Sequence, residues 1–402
     1  MTLLSADLLD PQVHATRDLT EVFGWLREHD PVHWHDGAPG FWSVTRHADV
    51  MRVVRDEQRF TSLRGNMLAT LLRGHDPGAG KMLVVSDGPY HKALRRLLMS
   101  GFGPRFLGPI TESIARATRT QLRALVARGG GDFVSEVAAQ VPLQAICELL
   151  GVPARDRGEI LELTNSAMLA APPGEAMSSQ ARIAQSELLL YYISLAAERR
   201  DAPGSDIVSL LVQGEVDGRR LTEEEVLLNC YNLIIGGDET ARLAMAGGLL
   251  ALVEHPAQWA RLRSDPGLVD SAVEEVLRWT TPARHVGRTV LSDTGLGGRT
   301  LRAGDVVVLW NIAANRDPAV FSEPEVFDLA RTPNRHLTFG YGPHFCIGAQ
   351  LARAEIRTML TELRTTVSAI GLTSEATRIP STFITGLETL PVAFVPAEGQ
   401  GS

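Results

Sequence analysis

The chain has 402 residues, 44% hydrophobic and 21% charged, with 37 Gly and 22 Pro. That apolar share is an ordinary globular one and excludes disordered, collagen-like and disulfide-scaffold classes. Its 39 basic and 47 acidic side chains leave a net charge of −8, which speaks against broad nucleic-acid binding.

From the N-terminus, Met1 to Pro11 carries Asp7 and Asp10 without a basic flank and does not read as a secretion signal. Asp36-Gly-Ala-Pro-Gly40 separates two short runs, Val32 to His35 and Phe41 to Thr45, as in a small hairpin. Helical spacing follows from about His47 to Arg55. Ser62 to Lys81 is irregular, with Gly65, Gly74, Gly78 and Gly80, and a loop of that length is usually functional. Helical patterns then run to about residue 280, broken at Gly101–Pro104, Gly129–Gly131, Pro172–Gly174, Pro203–Gly204 and Gly214–Gly218.

Thr222-Glu-Glu-Glu225 has the form of a capping box and opens a long helix predicted over about 222–254, ending before Pro256. Short β pieces return at Val286–Leu291, Val306–Trp310 and Pro391–Val395, and residues 396–402 read as a flexible tail. No linker divides the chain and no stretch approaches the ~18 unbroken apolar residues of a membrane span. The expectation is one large domain over 1–402, mainly α with a small β part.

Of the three cysteines, Cys147 and Cys230 lie at helical spacing among apolar residues and read as core filler. The odd, sparse set fits a reducing, cytoplasmic setting. Cys346 differs. It sits in Phe339-Gly-Tyr-Gly-Pro-His-Phe-Cys-Ile-Gly348, where glycines and proline forbid regular structure and free amide N–H groups for the sulfur. An amphipathic helix begins at Ala349, and a position before a helix N-terminus favours thiolate. A structural zinc site lacks further cysteine ligands, and a nucleophile using His344 would place its base only two residues away. Haem iron needs one protein thiolate and accounts for both the glycines and the lone Cys.

The ten residues fit the pattern F-G-x-G-x-H-x-C-x-G at every fixed position, and the chain here resembles the cytochrome P450 family. Three further motifs extend the resemblance along the chain. Glu275-Val-Leu-Arg278 matches the family's E-x-x-R, whose side chains share a helix face and buttress the ligand loop. Ile234-Ile-Gly-Gly-Asp-Glu-Thr-Ala-Arg242 carries two adjacent helix glycines, each costing about 1 kcal/mol relative to Ala. Such glycines serve close helix packing or a kink that makes room for a ligand. Asp87-Gly-Pro-Tyr-His91-Lys-Ala-Leu-Arg95 places His91 and Arg95 on one helical face.

The resemblance implies the cytochrome P450 fold enclosing haem b (iron protoporphyrin IX), with Cys346 as axial ligand in the loop 339–348 beside Phe339. His91, Arg95, Arg288 and His344 would bind the haem propionates. Gly236 and Gly237 would shape the oxygen groove, and Glu239 and Thr240, with Asp238, would relay protons toward dioxygen. His336 receives no assignment.

The same resemblance implies a monooxygenase inserting one oxygen atom from O2 into an organic substrate. Electrons would come from NAD(P)H through an external ferredoxin reductase and ferredoxin, for which Lys92, Arg95, Arg96, Arg353 and Arg357 offer a basic face. Substrate would meet 62–84, Leu163–Pro173, Pro282–Val286 and Phe383–Gly386. Arg284, His285 and Arg242 are polar there, which leads to the expectation of a polar or anionic secondary metabolite, an acyl or aminoacyl unit on a carrier protein among them. A haem-thiolate peroxygenase or isomerase, and a non-enzymatic haem-binding docking module, are the alternatives.

Overall fold

A computed structural model of the chain describes residues 7–167 and 178–397. The break at Pro172–Gly174, the far end of the Leu163–Pro173 segment and residues 398–402 of the tail lie outside the described residues.

The long run after Thr222 is a single helix, Glu223–Glu254, of 32 residues. Thr222 Oγ1 accepts the Glu225 amide at 3.2 Å and Glu225 returns a carboxylate to the Thr222 amide at 2.7 Å, closing the expected capping box. Three glutamates in the first turn complement the helix dipole. Buried residues surround this helix, as befits an element packed from several sides. Helices Gln140–Leu150, Ser179–Asp201, Val269–Thr280 and Ala349–Thr366 all pack on it.

The helix continues without a break through Gly236 and Gly237. The two glycines divide the two roles. A Cβ at Gly237 would approach Ile146 Cδ1 to 2.8 Å, so this glycine permits close packing onto Gln140–Leu150. A Cβ at Gly236 would meet nothing, because that face opens into a cavity.

The β part is a five-stranded sheet in the order Val32–His35, Phe41–Val44, Val306–Trp310, His285–Val290, Phe60–Thr61. Pairing is antiparallel except between Phe41–Val44 and Val306–Trp310. Arg288 lies opposite Val307 in this register. A three-stranded sheet joins Val367–Leu372, Pro391–Pro396 and Gly130–Asp132. The last strand falls where the sequence showed only a glycine break. Gly130 is required there because a Cβ would collide with the Val392 carbonyl. The irregular stretch from Ser62 also holds a short helix, Leu68–Arg73, capped by Gly74 in the left-handed region.

Cys147 and Cys230 are fully buried in the helical core, and burial pushes the Cys147 thiol up to about 12. Neither can serve as a thiolate near neutral pH.

Candidate active site

Cys346 lies at one wall of an internal cavity of about 290 Å³. Gly340 and Gly342 adopt φ of +67° and +71°, a region that side chains rarely enter, and these two residues reverse the loop. The Cys346 amide donates to the Phe339 carbonyl at 2.8 Å, which closes the loop and aims the side chain inward. Cys346 is accessible, and it lines the cavity. Burial pushes its pKa up, opposed by the Gly348 amide, the Arg95 and Arg353 guanidiniums and the Ala349 amide. The helix Ala349–Thr366 begins at this point, so the sulfur occupies the expected position before a helix N-terminus.

The loop rests on a buried ion pair. Glu275 and Arg278 are both inaccessible and meet at 2.8 Å. Arg278 also donates to the carbonyls of Asn315, Pro324 and Val326, which ties the chain beneath the loop to the helix Val269–Thr280.

Four donors converge beside the cysteine. His91, Arg95 and His344 line the cavity, and Arg288 is buried behind them with only the Gly287 carbonyl as hydrogen-bond partner. Both ring nitrogens of His91 are buried without a partner, and the ring stacks on His344 at 4.2 Å. Burial, with His344 and Arg95 nearby, lowers the His91 pKa to about 4. Buried polar atoms without partners are rare unless a ligand satisfies them. His91 without a partner and Arg288 with one carbonyl, beside Arg95, suit the two carboxylates of haem b, while His344 also donates to Asp87.

Across the cavity stand Gly236, Gly237 and Thr240 on the central helix. The Thr240 hydroxyl donates to the Gly236 carbonyl at 2.8 Å. Glu239 does not face the cavity. Its two carboxylate oxygens accept from Arg242 Nη2 at 2.5 Å each, and Arg242 Nη1 reaches Asn165 Oδ1 at 3.2 Å. Asp238 is fully buried away from the cavity, with both oxygens unpartnered. Burial and Glu239 push its pKa up to about 7, against Arg242.

The cytochrome P450 family model matches residues 175–364. Cytochrome P450 NovI of Streptomyces niveus is 42% identical over 393 residues, 96% of this chain and 95% of that protein. The steroid C26-monooxygenase of Mycobacterium tuberculosis (strain ATCC 25618 / H37Rv) is 34% identical over 402 residues, 98% of each. The chain belongs to the cytochrome P450 family. It is therefore a haem-iron oxidoreductase of the monooxygenase class that uses O2. Among solved structures, P450 OxyD, involved in the biosynthesis of vancomycin-type antibiotics, superposes with a TM-score of 0.87 at 35% identity. The match covers 98% of this chain and 100% of that one.

In this P450 the cations expected to meet substrate are placed elsewhere. Arg284 points away from the cavity, donating to the Ile384 and His14 carbonyls, and burial lowers its pKa to about 10. His285 is buried against Trp310 and Phe383, with Nε2 accepting from the Leu68 amide at 3.1 Å. Arg242 is committed to Glu239 and Asn165. Ala283 and Val286 line the cavity, and Arg284 between them is held off it by its bonds to Ile384 and His14.

Three residues of the site carried no sequence signal. Asp87 looks like an N-cap for the helix Gly88–Ser100, yet its carboxylate makes no cap bond. Instead it accepts from Thr61 Oγ1 at 2.5 Å, the Ser62 amide at 2.8 Å and His344 Nε2 at 3.0 Å. Burial would raise its pKa, and these bonds outweigh that and hold it well below the usual carboxylate range. Glu57 brings a carboxylate within 4.8 Å of His91 and His344. Glu355 lines the cavity, and burial plus nearby Asp238 push its carboxyl well above the usual range.

Proposed function

We propose that this P450 inserts one oxygen atom from O2 into a secondary metabolite whose reacting portion is apolar. The observation that carries the reading is that Cys346, Gly236 and Thr240 line one cavity, walled largely by side chains such as Leu83, Val84, Ala241, Ala244 and Phe383. Haem b would be held by Cys346 at iron and by His91, Arg95, Arg288 and His344 at its carboxylates. When bound it supplies the oxidising chemistry, using electrons delivered from outside.

The chain's own residues orient and protonate. Thr240 presents the cavity-facing hydroxyl, which must leave the Gly236 carbonyl to act on O2. Glu239 can exchange a proton with it only after leaving Arg242. Asp238 and Glu355 can each hold a proton near neutral pH, since burial keeps their acids neutral. Neutral polar contacts to substrate come from Asn66 and Asn232, which suit hydroxyl or carbonyl groups rather than an anion. Kinship with a steroid C26-monooxygenase agrees with a bulky, mainly apolar substrate.

Electrons would arrive through a ferredoxin and its reductase. Three of the five cations expected to form the docking face are already engaged: Lys92 by Glu57, Arg353 by Glu274 and Arg357 by Asp270. That face is therefore less positive than the sequence suggested.

Two measurements test the reading. Cys346→Ser, folded, should lose the thiolate-type carbon monoxide difference band that the wild type shows. Spin-state titration should give a low-to-high-spin shift with neutral steroid or macrolide probes. A shift produced only by carboxylates or by carrier-bound acyl units would overturn the apolar-substrate reading.

A further inference from the structure

One wall of the cavity is held by a side chain 146 residues away in sequence. Residues 81–85 form a strap over the first third of the central helix, ending in a single 3₁₀ turn at Leu83–Val85. Leu83 and Val84 line the cavity. Asn229, fully buried on the central helix, grips this strap at two points. Its Nδ2 donates to the Lys81 carbonyl at 2.9 Å and its Oδ1 accepts from the Leu83 amide at 2.9 Å. Nδ2 also donates to the Glu225 carbonyl at 2.7 Å, which fixes the amide in one orientation. Donor and acceptor on one short side chain are a property of a primary amide, and no carboxylate or hydroxyl of that size reproduces both bonds.

The remaining polar ties between strap and helix are weaker. Lys81 Nζ meets Glu224 at 2.7 Å, but both side chains are exposed and the pair is screened. Tyr90 Oη lies 3.4 Å from the Lys81 carbonyl and makes its shorter bond, 2.8 Å, to Glu225. Leu83 adds buried apolar contact, which slides more readily than a directed hydrogen bond. Asn232 and Leu233, one helical turn beyond Asn229, line the cavity directly. A shift of the strap therefore changes the cavity wall beside them.

We propose that Asn229 is a latch: breaking its two strap bonds lets residues 81–85 lift and admits ligand to the cavity. The latch is a positioning device that sets access and rests on the reading of this cavity as the substrate site. Asn229→Leu keeps the approximate size but removes both the donor to the Lys81 carbonyl and the acceptor for the Leu83 amide.

In the haem-loaded protein, N229L should raise the rate of tryptic cleavage after Lys81 about thirtyfold, the equivalent of two lost hydrogen bonds. Association and dissociation of 4-phenylimidazole, followed in the Soret band, should quicken together while the carbon monoxide band stays as in wild type. Asn229→Ala provides the second variant should the leucine prevent folding. Unchanged cleavage and ligand rates in a variant with the wild-type band would overturn the latch, and so would cleavage that rises only with loss of the band. A wild type lacking the band would refute the haem reading instead, and cleavage at Lys81 would still decide the latch.

Discussion

Replacing Glu275 with Gln removes the anion shared by two buried guanidiniums. The carboxylate accepts from Arg278 Nε and Nη2 at 2.8 Å each, Arg331 Nε at 3.1 Å, Asn334 Nδ2 at 3.0 Å and the Asp328 amide at 2.9 Å. A glutamine has the size but presents one acceptor oxygen, and it leaves Arg278 and Arg331 as uncompensated cations. Breaking a buried pair in this way costs about 3–5 kcal/mol. The unfolding entropy of 402 residues is about 0.8 kcal/mol per kelvin, so the thermal midpoint should fall by about 4–6 °C.

The damage should reach the haem. Arg278 holds the Asn315 carbonyl, Asn315 Oδ1 accepts the Leu337 amide at 2.6 Å, and Asn315 Nδ2 reaches Thr338 Oγ1 at 3.0 Å. Thr338 and Phe339 are the approach to the Cys346 loop and line its cavity. Circular dichroism and the Soret band should therefore melt earlier together, with the carbon monoxide band converting to its inactive form on warming. A midpoint within about 1 °C of wild type would refute the argument that this pair carries the loop.

Other outcomes follow from the same geometry. Gly236→Ala should gain about 1 kcal/mol in helix propensity while narrowing the cavity, whereas Gly237→Val should lose about 1–3 kcal/mol against Ile146; urea unfolding of both decides which glycine packs. His14 and His285 are lowered by burial to about 4 and about 3. Because the unfolded chain protonates them first, stability is lost as pH falls from about 6.5 through those values. His14→Gln should remove about 3 kcal/mol of that acid sensitivity, read as a flatter stability profile between pH 6.5 and 4. Asp87→Asn should weaken haem affinity about tenfold by releasing His344, measured by haem transfer to apomyoglobin, and unchanged transfer would exclude the positioning role.

The Cys346 loop was legible because its residues are there for local reasons. Only glycine enters the φ of Gly340 and Gly342 cheaply, and Ala349 onward is amphipathic by its own spacing. The capping box at Thr222 was legible for the same reason, since both partners lie within one turn. Arg284 and His285 were misread because the partners that hold them, the Ile384 and His14 carbonyls and the Leu68 amide, come from distant segments. The Gly130–Asp132 strand was read as a break because its partner, Val392, lies far along the chain, and close backbone approach resembles a turn when seen in sequence alone.

By itself the sequence determined the helical class, the family through the motif at 339–348 and the capping box of the central helix, all of which rest on short-range geometry. Tertiary structure alone decided which way the side chains face. Glu239 turned to Arg242, Asp87 left its cap for His344, Arg284 turned its back on the cavity, and Asn229 found Lys81 and Leu83. Each of these choices is made by a partner from a different element, and packing settles it only once the elements have met.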